Sequence, residues 1–204
     1  MSCVPVVYLP GGGGRSSFWR PVADRLWRHG APIVLGYPGF GDAPADPSLR
    51  TLGDLCDALL AVLPDRFHVV AQSMGNVLAL RMAIERPERV ASLVACAATG
   101  GIDALGLGGA EWRHSLRADL PLAPAWFFDD ATDLTDRLGS IRAPTLVLSG
   151  DADPLSPIAI GQLLRDRIPS ATLHVVAGGT HSMAYDDPEP IAARIGEFLA
   201  AAKR

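Results

Sequence analysis

The sequence is poor in the features that mark secreted, disulfide-bonded or membrane proteins. It has 3 cysteines in 204 residues, and this odd, scattered set (Cys3, Cys56 and Cys96) argues against a disulfide framework and favours a reducing compartment. No apolar run approaches the length of a membrane span. The N-terminus has neither the basic segment nor the apolar stretch of a signal peptide. We therefore expect a cytoplasmic protein that does not associate with membranes.

Positive charge is also scarce. The chain has a single lysine, Lys203, and a net charge of −4. Because no cluster of lysine and arginine forms a phosphate-binding face, the sequence argues against nucleic acids and acidic membrane surfaces as partners. Apolar residues make up 49% and charged residues 20% of the chain, as in an ordinary globular protein. We expect one domain over residues 1–204, and the sequence leaves open whether it is a monomer or a homodimer.

Short apolar runs alternate with helical segments almost throughout the chain. The runs predicted as strands are residues 4–9, 32–35, 68–71, 90–96, 145–149 and 171–176. Strands separated by helices form parallel βαβ units. The pattern therefore predicts an α/β fold, with a doubly wound, mostly parallel six-stranded sheet and helices on both faces.

Helix signals lie between these runs. A helix is predicted from the serines at 16 and 17 to residue 28, and Thr51 with Asp54 forms a capping box at the start of another. The residues predicted on the buried side of this second helix are Leu52, Leu55, Leu59 and Val62. Residues 100–140 lack strand signals, and we expect them to form a small cap-like excursion over the carboxyl edge of the sheet.

The stretch Ala71-Gln72-Ser73-Met74-Gly75 joins a predicted strand directly to a predicted helix. Small residues two before and two after a serine allow a very tight strand-to-helix turn, the nucleophile elbow, which presents the hydroxyl beyond the edge of the sheet. The turn strains the backbone at Ser73, and such strain tends to persist where it has a use. The main alternative role for Ser73 is that of a helix N-cap.

Two other strand ends carry the groups that such a serine needs. A serine hydroxyl is a poor nucleophile and requires a base, which is itself oriented by an acid. His181 follows the last predicted strand, and Asp151 and Asp153 follow the strand before it. Because the carboxyl ends of parallel strands share one edge of a sheet, Ser73, His181 and one of the two aspartates are predicted to converge. The spacing leaves both aspartates open as the acid.

Two backbone N–H groups are expected to stabilise an oxyanion beside this serine. One belongs to Met74, where the start of a helix favours negative charge. The other lies in the glycine-rich loop after the first strand, where Gly12 is the best candidate. The glycines at 11–14 match neither the P-loop nor the dinucleotide fingerprint, so we expect no cofactor. The aspartates at 129–136 fit no metal-binding loop, so we expect no metal.

Together these motifs resemble the serine α/β-hydrolase family, and the resemblance covers nearly the whole chain. The matching pieces are Leu9-Pro10-Gly11-Gly12, Tyr37-Pro38-Gly39-Phe40-Gly41, Ala71-Gln72-Ser73-Met74-Gly75, and residues 144–154 and 178–181. The resemblance implies that Ser73 is the nucleophile, His181 the base and Asp153 the acid. It also implies that Gly12 and Met74 donate to the oxyanion, and that the first strand lies beside the elbow strand, which places Ser73 at the topological switch point.

The sequence departs from the family pattern at a few places. It begins with the strand predicted over residues 4–9, which precedes the glycine-rich loop, and lacks the N-terminal strand hairpin that is common in the family. Pro10 stands where the family usually has a histidine, and the elbow begins with Ala71 and continues past Gly75 with Asn76. The cap region is reduced. None of these departures removes a catalytic group.

We therefore expect a cofactor-free hydrolase that cleaves a small-molecule acyl ester through an acyl-enzyme. The same kind of site also serves thioesters, lactones and carbon–carbon bonds, so these stay open, as does a non-catalytic small-molecule-binding protein on the same scaffold. Trp126 and Phe127 are expected to line the substrate site, although aromatic residues at such positions more often serve packing.

Overall fold

The computed structural model describes residues 4–40, 43–120 and 123–202. They contain one six-stranded sheet in the order β2-β1-β3-β4-β5-β6, in which every pairing is parallel. The strands are Val6–Leu9 (β1), Pro32–Val34 (β2), Phe67–Ser73 (β3), Val90–Ala98 (β4), Thr145–Gly150 (β5) and Ala171–Val176 (β6). The predicted fold class is confirmed, and β1 lies beside β3 as the family resemblance implies.

Helices cover both faces of this sheet. They are Arg20–Leu26 (α1), Leu52–Val62 (α2), Gly75–Glu85 (α3), Arg113–Asp119 (α4), Ala125–Asp129 (α5), Ile158–Arg167 (α6), Met183–Asp186 (α7) and Pro188–Ala201 (α8). Because successive strand side chains point to opposite faces, Val7 and Leu9 join a core cluster with α2, α3 and α6. Val6 and Tyr8 join a second cluster with α1, α7 and α8.

Two helix predictions differ from the structure. The helix predicted over residues 16–28 is divided into a 3₁₀ turn at Ser16–Phe18, α1, and a second 3₁₀ turn at Trp27–His29. Pro21 lies in the first turn of α1, where its missing N–H is tolerated and its fixed φ favours a helix start.

The capping box at α2 is present, since Thr51 Oγ1 accepts a hydrogen bond from Asp54 N at 3.0 Å. Val62, however, is 77% exposed, contrary to the prediction that it faces the core. Leu59, Leu60 and Leu63 occupy the buried side at this end of the helix, and Val62 therefore points into solvent.

Strand β4 carries a β-bulge at its carboxyl end. Gln72 of β3 lies opposite Cys96, but the next residue, Ser73, lies opposite Ala98. The extra residue, Ala97, has a φ of 44°, in the left-handed region that alanine rarely adopts. Bulges of this kind re-aim the side chains that follow them, and this one lies directly beside Ser73.

The segment after β4 crosses the carboxyl edge of the sheet and includes α4 and α5. The aromatic ring of Phe127 packs on Phe40 at 5.3 Å between centroids and on Phe128 at 4.9 Å. Arg113 Nε donates to Phe128 O at 3.2 Å, which joins α4 to α5. This segment corresponds to the excursion predicted over residues 100–140, of which residues 121 and 122 lie outside the described residues. Gly41, from the matching stretch that begins at Tyr37, also lies outside them.

Candidate active site

Ser73 is the last residue of β3, and α3 begins two residues later. Its φ of 51° lies in the left-handed region, which a serine adopts only at an energetic cost. Gly75 explains why the turn is so tight, because a Cβ atom on it would lie 2.5 Å from Leu9 O and 2.8 Å from Pro10 O. The elbow therefore packs directly against the end of β1.

His181 and Asp153 are brought together by the loops that follow β6 and β5. Nδ1 of His181 lies 2.9 Å from Oδ2 of Asp153, and since a carboxylate only accepts hydrogen bonds, Nδ1 carries the proton. This leaves Nε2 as the basic nitrogen. The Asp153 side chain is fully buried, whereas the His181 side chain is 21% exposed.

The other carboxylate oxygen of Asp153 is also satisfied. Asp153 Oδ1 accepts hydrogen bonds from the backbone N–H groups of Leu155 at 2.9 Å and Ser156 at 3.0 Å. These bonds hold the carboxylate in one orientation. Asp151 has a different environment, because its exposed carboxylate accepts a hydrogen bond from Gly178 N at 2.6 Å. Of the two aspartates that the sequence left open, Asp153 is the one that contacts His181.

Ser73 and His181 line the same cavity, whose volume is about 900 Å³. No hydrogen bond between the described Ser73 and His181 side chains is present. Ser73 Oγ lies instead 3.0 Å from Thr99 Oγ1. Catalytic hydrogen bonds are often long in a ligand-free enzyme and tighten when substrate binds. The structure thus joins His181 to Asp153, and it places Ser73 in the same cavity with a different hydrogen-bond partner.

The loop after β1 lies beside the elbow. Gly12 and Met74 both line the cavity, and a Cβ atom on Gly11 would lie 3.0 Å from Ser73 Cβ. The carbonyl groups before the loop are held in place, because Tyr37 Oη donates to Pro10 O at 2.9 Å. Burial raises the pKa of Tyr37 well above its usual value, so its hydroxyl keeps the proton that this bond needs.

The excursion lies over this loop. A Cβ atom on Gly12 would lie 2.8 Å from Phe127 Cζ and 2.9 Å from Leu116 Cδ2. Phe127 lines the cavity. Trp126, the other aromatic residue predicted there, is absent from the described residues that line it, and its ring packs edge-to-face on Phe40. Adjacent residues of a short helix point in different directions, and here only Phe127 points inward.

Two cavity residues were missed by the sequence analysis. Gln72 Nε2 donates to His181 O at 3.1 Å, which ties the elbow to the loop that carries the imidazole. Thr99 follows β4, and its hydroxyl contacts Ser73. The rule that strand ends share one edge of a parallel sheet applies to Thr99 as well as to Asp153 and His181, and this signal could have identified it.

The thiol of Cys96 is a second potential nucleophile near Asp153. Cys96 is buried, and burial together with the charge of Asp153 raises the pKa of its thiol, so the nucleophilic thiolate does not form near neutral pH.

Within residues 4–40, 43–120 and 123–202, no group of three or more histidine, cysteine, aspartate or glutamate residues is arranged to hold a metal ion. In the same ranges, no helix is both long and apolar enough to cross a membrane.

Comparison with known proteins agrees with this fold. The model of the alpha/beta hydrolase family matches residues 6–128 and 102–194. The chain belongs to this family. The prediction that it is a hydrolase is therefore confirmed, as is its assignment to this fold.

Several members of the alpha/beta hydrolase family resemble the chain over nearly their full length. RutD of Variovorax paradoxus, a proposed carbamate hydrolase, is 27% identical, with 96% of this chain and 91% of the relative covered. The pimeloyl-[acyl-carrier protein] methyl ester esterase of Aeromonas salmonicida is 26% identical, with 95% and 94% covered. Among solved structures, the enol-lactonase of Burkholderia xenovorans superposes with a TM-score of 0.80 at 19% identity, over 97% of this chain and 92% of that one. This last likeness concerns the fold alone.

Proposed function

We propose that the protein is a serine hydrolase that cleaves small acyl esters through a covalent acyl-enzyme. The observation that carries this proposal is the pairing of buried Asp153 with His181 at the rim of the cavity that the strained Ser73 lines. A binding protein needs a cavity of this kind, but it has no use for a buried carboxylate fixed on an imidazole. The named activity of the Aeromonas salmonicida esterase supports ester chemistry on this scaffold.

In the first half of the reaction, Ser73 Oγ attacks the carbonyl carbon of the ester. Its proton passes to His181 Nε2 as the new C–O bond forms, and the carbonyl oxygen takes the negative charge. His181 then returns the proton to the oxygen of the leaving alcohol as the bond between the acyl carbon and that oxygen breaks. Asp153 keeps its charge throughout, holds the imidazole tautomer, and stabilises the imidazolium that forms.

The negative oxygen of the intermediate is stabilised by the backbone N–H groups of Gly12 and Met74. Both residues line the cavity beside Ser73. Donors of this kind that are fixed before the reaction contribute about 10²–10³-fold each. Phe127 and Leu116 of the excursion lie close to Gly12 and line the same cavity.

In the second half of the reaction, water attacks the acyl group on Ser73. His181 Nε2 takes a proton from this water and returns it to Ser73 Oγ as the acyl–serine bond breaks. The acid is released and the free hydroxyl is restored. The side chain of His181 is partly exposed, so the imidazole has room to approach the hydroxyl and the water in turn.

Hydrolysis of p-nitrophenyl butyrate by matched serine variants tests the proposal. Ser115 also lines the cavity and is exposed on α4, so Ser115→Ala controls for the loss of any cavity hydroxyl. We expect Ser73→Ala to lower kcat by about 10³-fold or more and Ser115→Ala to keep the wild-type rate. An equal effect of the two substitutions, or a wild-type rate in Ser73→Ala, would contradict the proposal. If a fluorophosphonate does not label Ser73 while small molecules raise the Tm of the wild-type protein, the chain is a binding protein instead.

A further inference from the structure

Thr99 contacts the proposed nucleophile directly. Its Oγ1 atom lies 3.0 Å from Ser73 Oγ, within the usual range for a hydrogen bond between hydroxyl groups. Thr99 is the first residue after β4 and lines the same cavity as Ser73 and His181. Its side chain thus meets the serine on the β4 side of the elbow.

The β-bulge in β4 brings this hydroxyl to Ser73. Without the extra residue Ala97, every residue after it would shift by one position in the register, and its side chain would point to the opposite face of the sheet. With it, Ala98 pairs with Ser73 and Thr99 follows next to the hydroxyl. Ala97 adopts a φ of 44° to make this possible, and a backbone strained in this way persists only where its surroundings hold it.

The surroundings that hold the bulge also hold the acid. Ser156 Oγ donates to Ala98 O at 2.6 Å, in the residue before Thr99. The backbone N–H of the same Ser156 donates to Asp153 Oδ1 at 3.0 Å. One serine therefore fixes both the carboxylate that orients His181 and the strand end that carries Thr99. The position of Thr99 is built into the site.

We propose that Thr99 is a positioning residue for Ser73, a role that rests on the proposed function. A hydroxyl group has one proton to donate. When Ser73 donates its proton to His181, the bond between the two hydroxyl groups requires Thr99 to donate to Ser73 Oγ. Thr99 then fixes the rotamer of the serine and stabilises the charge that builds on Oγ during attack. Thr99 keeps its own proton throughout.

This role affects the rate of acylation more than the rate of deacylation. During acylation Ser73 Oγ forms its bond to the acyl carbon and passes its proton to His181, so the Thr99 hydrogen bond strengthens as charge builds on Oγ. In the acyl-enzyme the same atom is an ester oxygen, which accepts hydrogen bonds weakly while water attacks the acyl carbon. Charge returns to Oγ only afterwards, when the acyl–serine bond breaks. With the attack of water as the slow step of deacylation, loss of the Thr99 hydroxyl is expected to slow acylation and to leave deacylation nearly unchanged.

The test compares Thr99→Val, which removes the hydroxyl at almost constant shape, with Thr99→Ser, which keeps it. Thr172→Val, at an exposed position on the edge strand β6, controls for the same substitution elsewhere. The readouts are the rate constant for labelling by a fluorophosphonate, kcat/KM for p-nitrophenyl butyrate, and the breakdown rate of preformed acyl-enzyme. We expect Thr99→Val to lower the first two by about 10-fold and to spare the third. Thr99→Ser and Thr172→Val should stay within about 2-fold of wild type in all three.

Three outcomes would overturn the role of Thr99. They are unchanged or faster labelling in Thr99→Val, an equal loss in Thr99→Ser, and a loss of deacylation equal to that of acylation. A melting curve on each variant shows that it is folded, and Thr99→Ala replaces Thr99→Val if the valine side chain prevents folding. If Ser73→Ala keeps its activity, the proposed function itself fails and this role fails with it. If Ser73→Ala is inactive while Thr99→Val equals wild type, only the role of Thr99 fails.

Discussion

The elbow makes a quantitative prediction for Gly75→Ala. The added Cβ atom would lie 2.5 Å from Leu9 O, whereas ordinary van der Waals contact begins at 3.4 Å. The end of β1 and the start of α3 must therefore separate by about 0.9 Å, the difference between these two distances. The two nearest atoms, Leu9 O and Pro10 O, belong to the backbone, which cannot move aside as a flexible side chain does. The elbow pattern requires a small residue at this position, and the close approach of Leu9 O and Pro10 O leaves room for glycine alone.

Two losses are expected from this separation. Overpacking of this kind costs about 1–3 kcal/mol of the free energy of unfolding, and each kcal/mol lowers the Tm of a chain of this size by about 2–4 °C. This movement also shifts the Ser73 hydroxyl relative to the backbone N–H groups of Gly12 and Met74, the proposed oxyanion donors. We therefore expect kcat/KM to fall by about 100-fold, as for other misplacements near 1 Å.

The assay for Gly75→Ala combines a thermal melt with the hydrolysis of p-nitrophenyl butyrate. Gly139→Ala is the matched control, since Gly139 is exposed and a Cβ atom there would meet one atom, Arg167 O at 3.8 Å. The control should keep the wild-type Tm and activity. If Gly75→Ala retained both as well, the close approach between the elbow and β1 would be refuted.

Two further predictions follow from the acid and the buried thiols. Asp153→Asn should lower kcat by about 10⁴-fold, because the amide does not hold the same histidine tautomer, whereas Asp151→Asn should keep kcat within about 2-fold; steady-state kinetics on both variants decide this, and the opposite ranking would assign the acid to Asp151. Burial raises the pKa of the Cys56 thiol to about 12 and also raises that of Cys96, so both thiols stay protonated at pH 8. In a Cys3→Ser variant we expect no reaction with Ellman's reagent until denaturant unfolds the chain, and rapid reaction of the native protein would contradict the burial.

The sequence predicted the parts of the molecule whose signals are local. Strand and helix alternation identified the sheet, and the small residues around Ser73 identified the tight turn. The place of β1 beside β3 followed from the family resemblance. Because all strands are parallel, residues that follow different strands meet at one edge, and this geometric rule selects Ser73, His181 and either Asp151 or Asp153. The choice of Asp153 came from the family resemblance.

The sequence could not predict contacts that depend on register and packing. Asp151 and Asp153 have similar neighbours along the chain, and the fold distinguishes them by their contacts. Asp153 is buried and bonds to His181, whereas Asp151 is exposed and accepts a hydrogen bond from Gly178 N. Nothing in the local sequence marks Ala97 as a bulge, because its φ is imposed by the pairing of β4 with β3. The same limit explains Val62, whose exposure depends on where the core ends and not on helical spacing.

The strained backbone conformations lie at and beside the proposed nucleophile. Ser73 and Ala97 are the non-glycine residues with positive φ among the described parts of the chain, and they lie on adjacent strands at the same edge. Unusual backbone conformations that cluster at one place are typical of functional sites. The strained residue of β3 is Ser73 itself, and the strained residue of β4, Ala97, precedes Thr99, the hydrogen-bond partner of Ser73. Both strained residues therefore lie at one edge of the sheet.

In the proposed mechanism, His181, held by Asp153, activates Ser73. The most direct measurement is the site and rate of covalent labelling by a fluorophosphonate, read by peptide mass spectrometry in the wild type and in His181→Ala. We predict one label per chain, on Ser73, in the wild type, and a labelling rate lower by about 10³-fold or more in His181→Ala. A label on another residue, or equal labelling rates in the two proteins, would contradict the account.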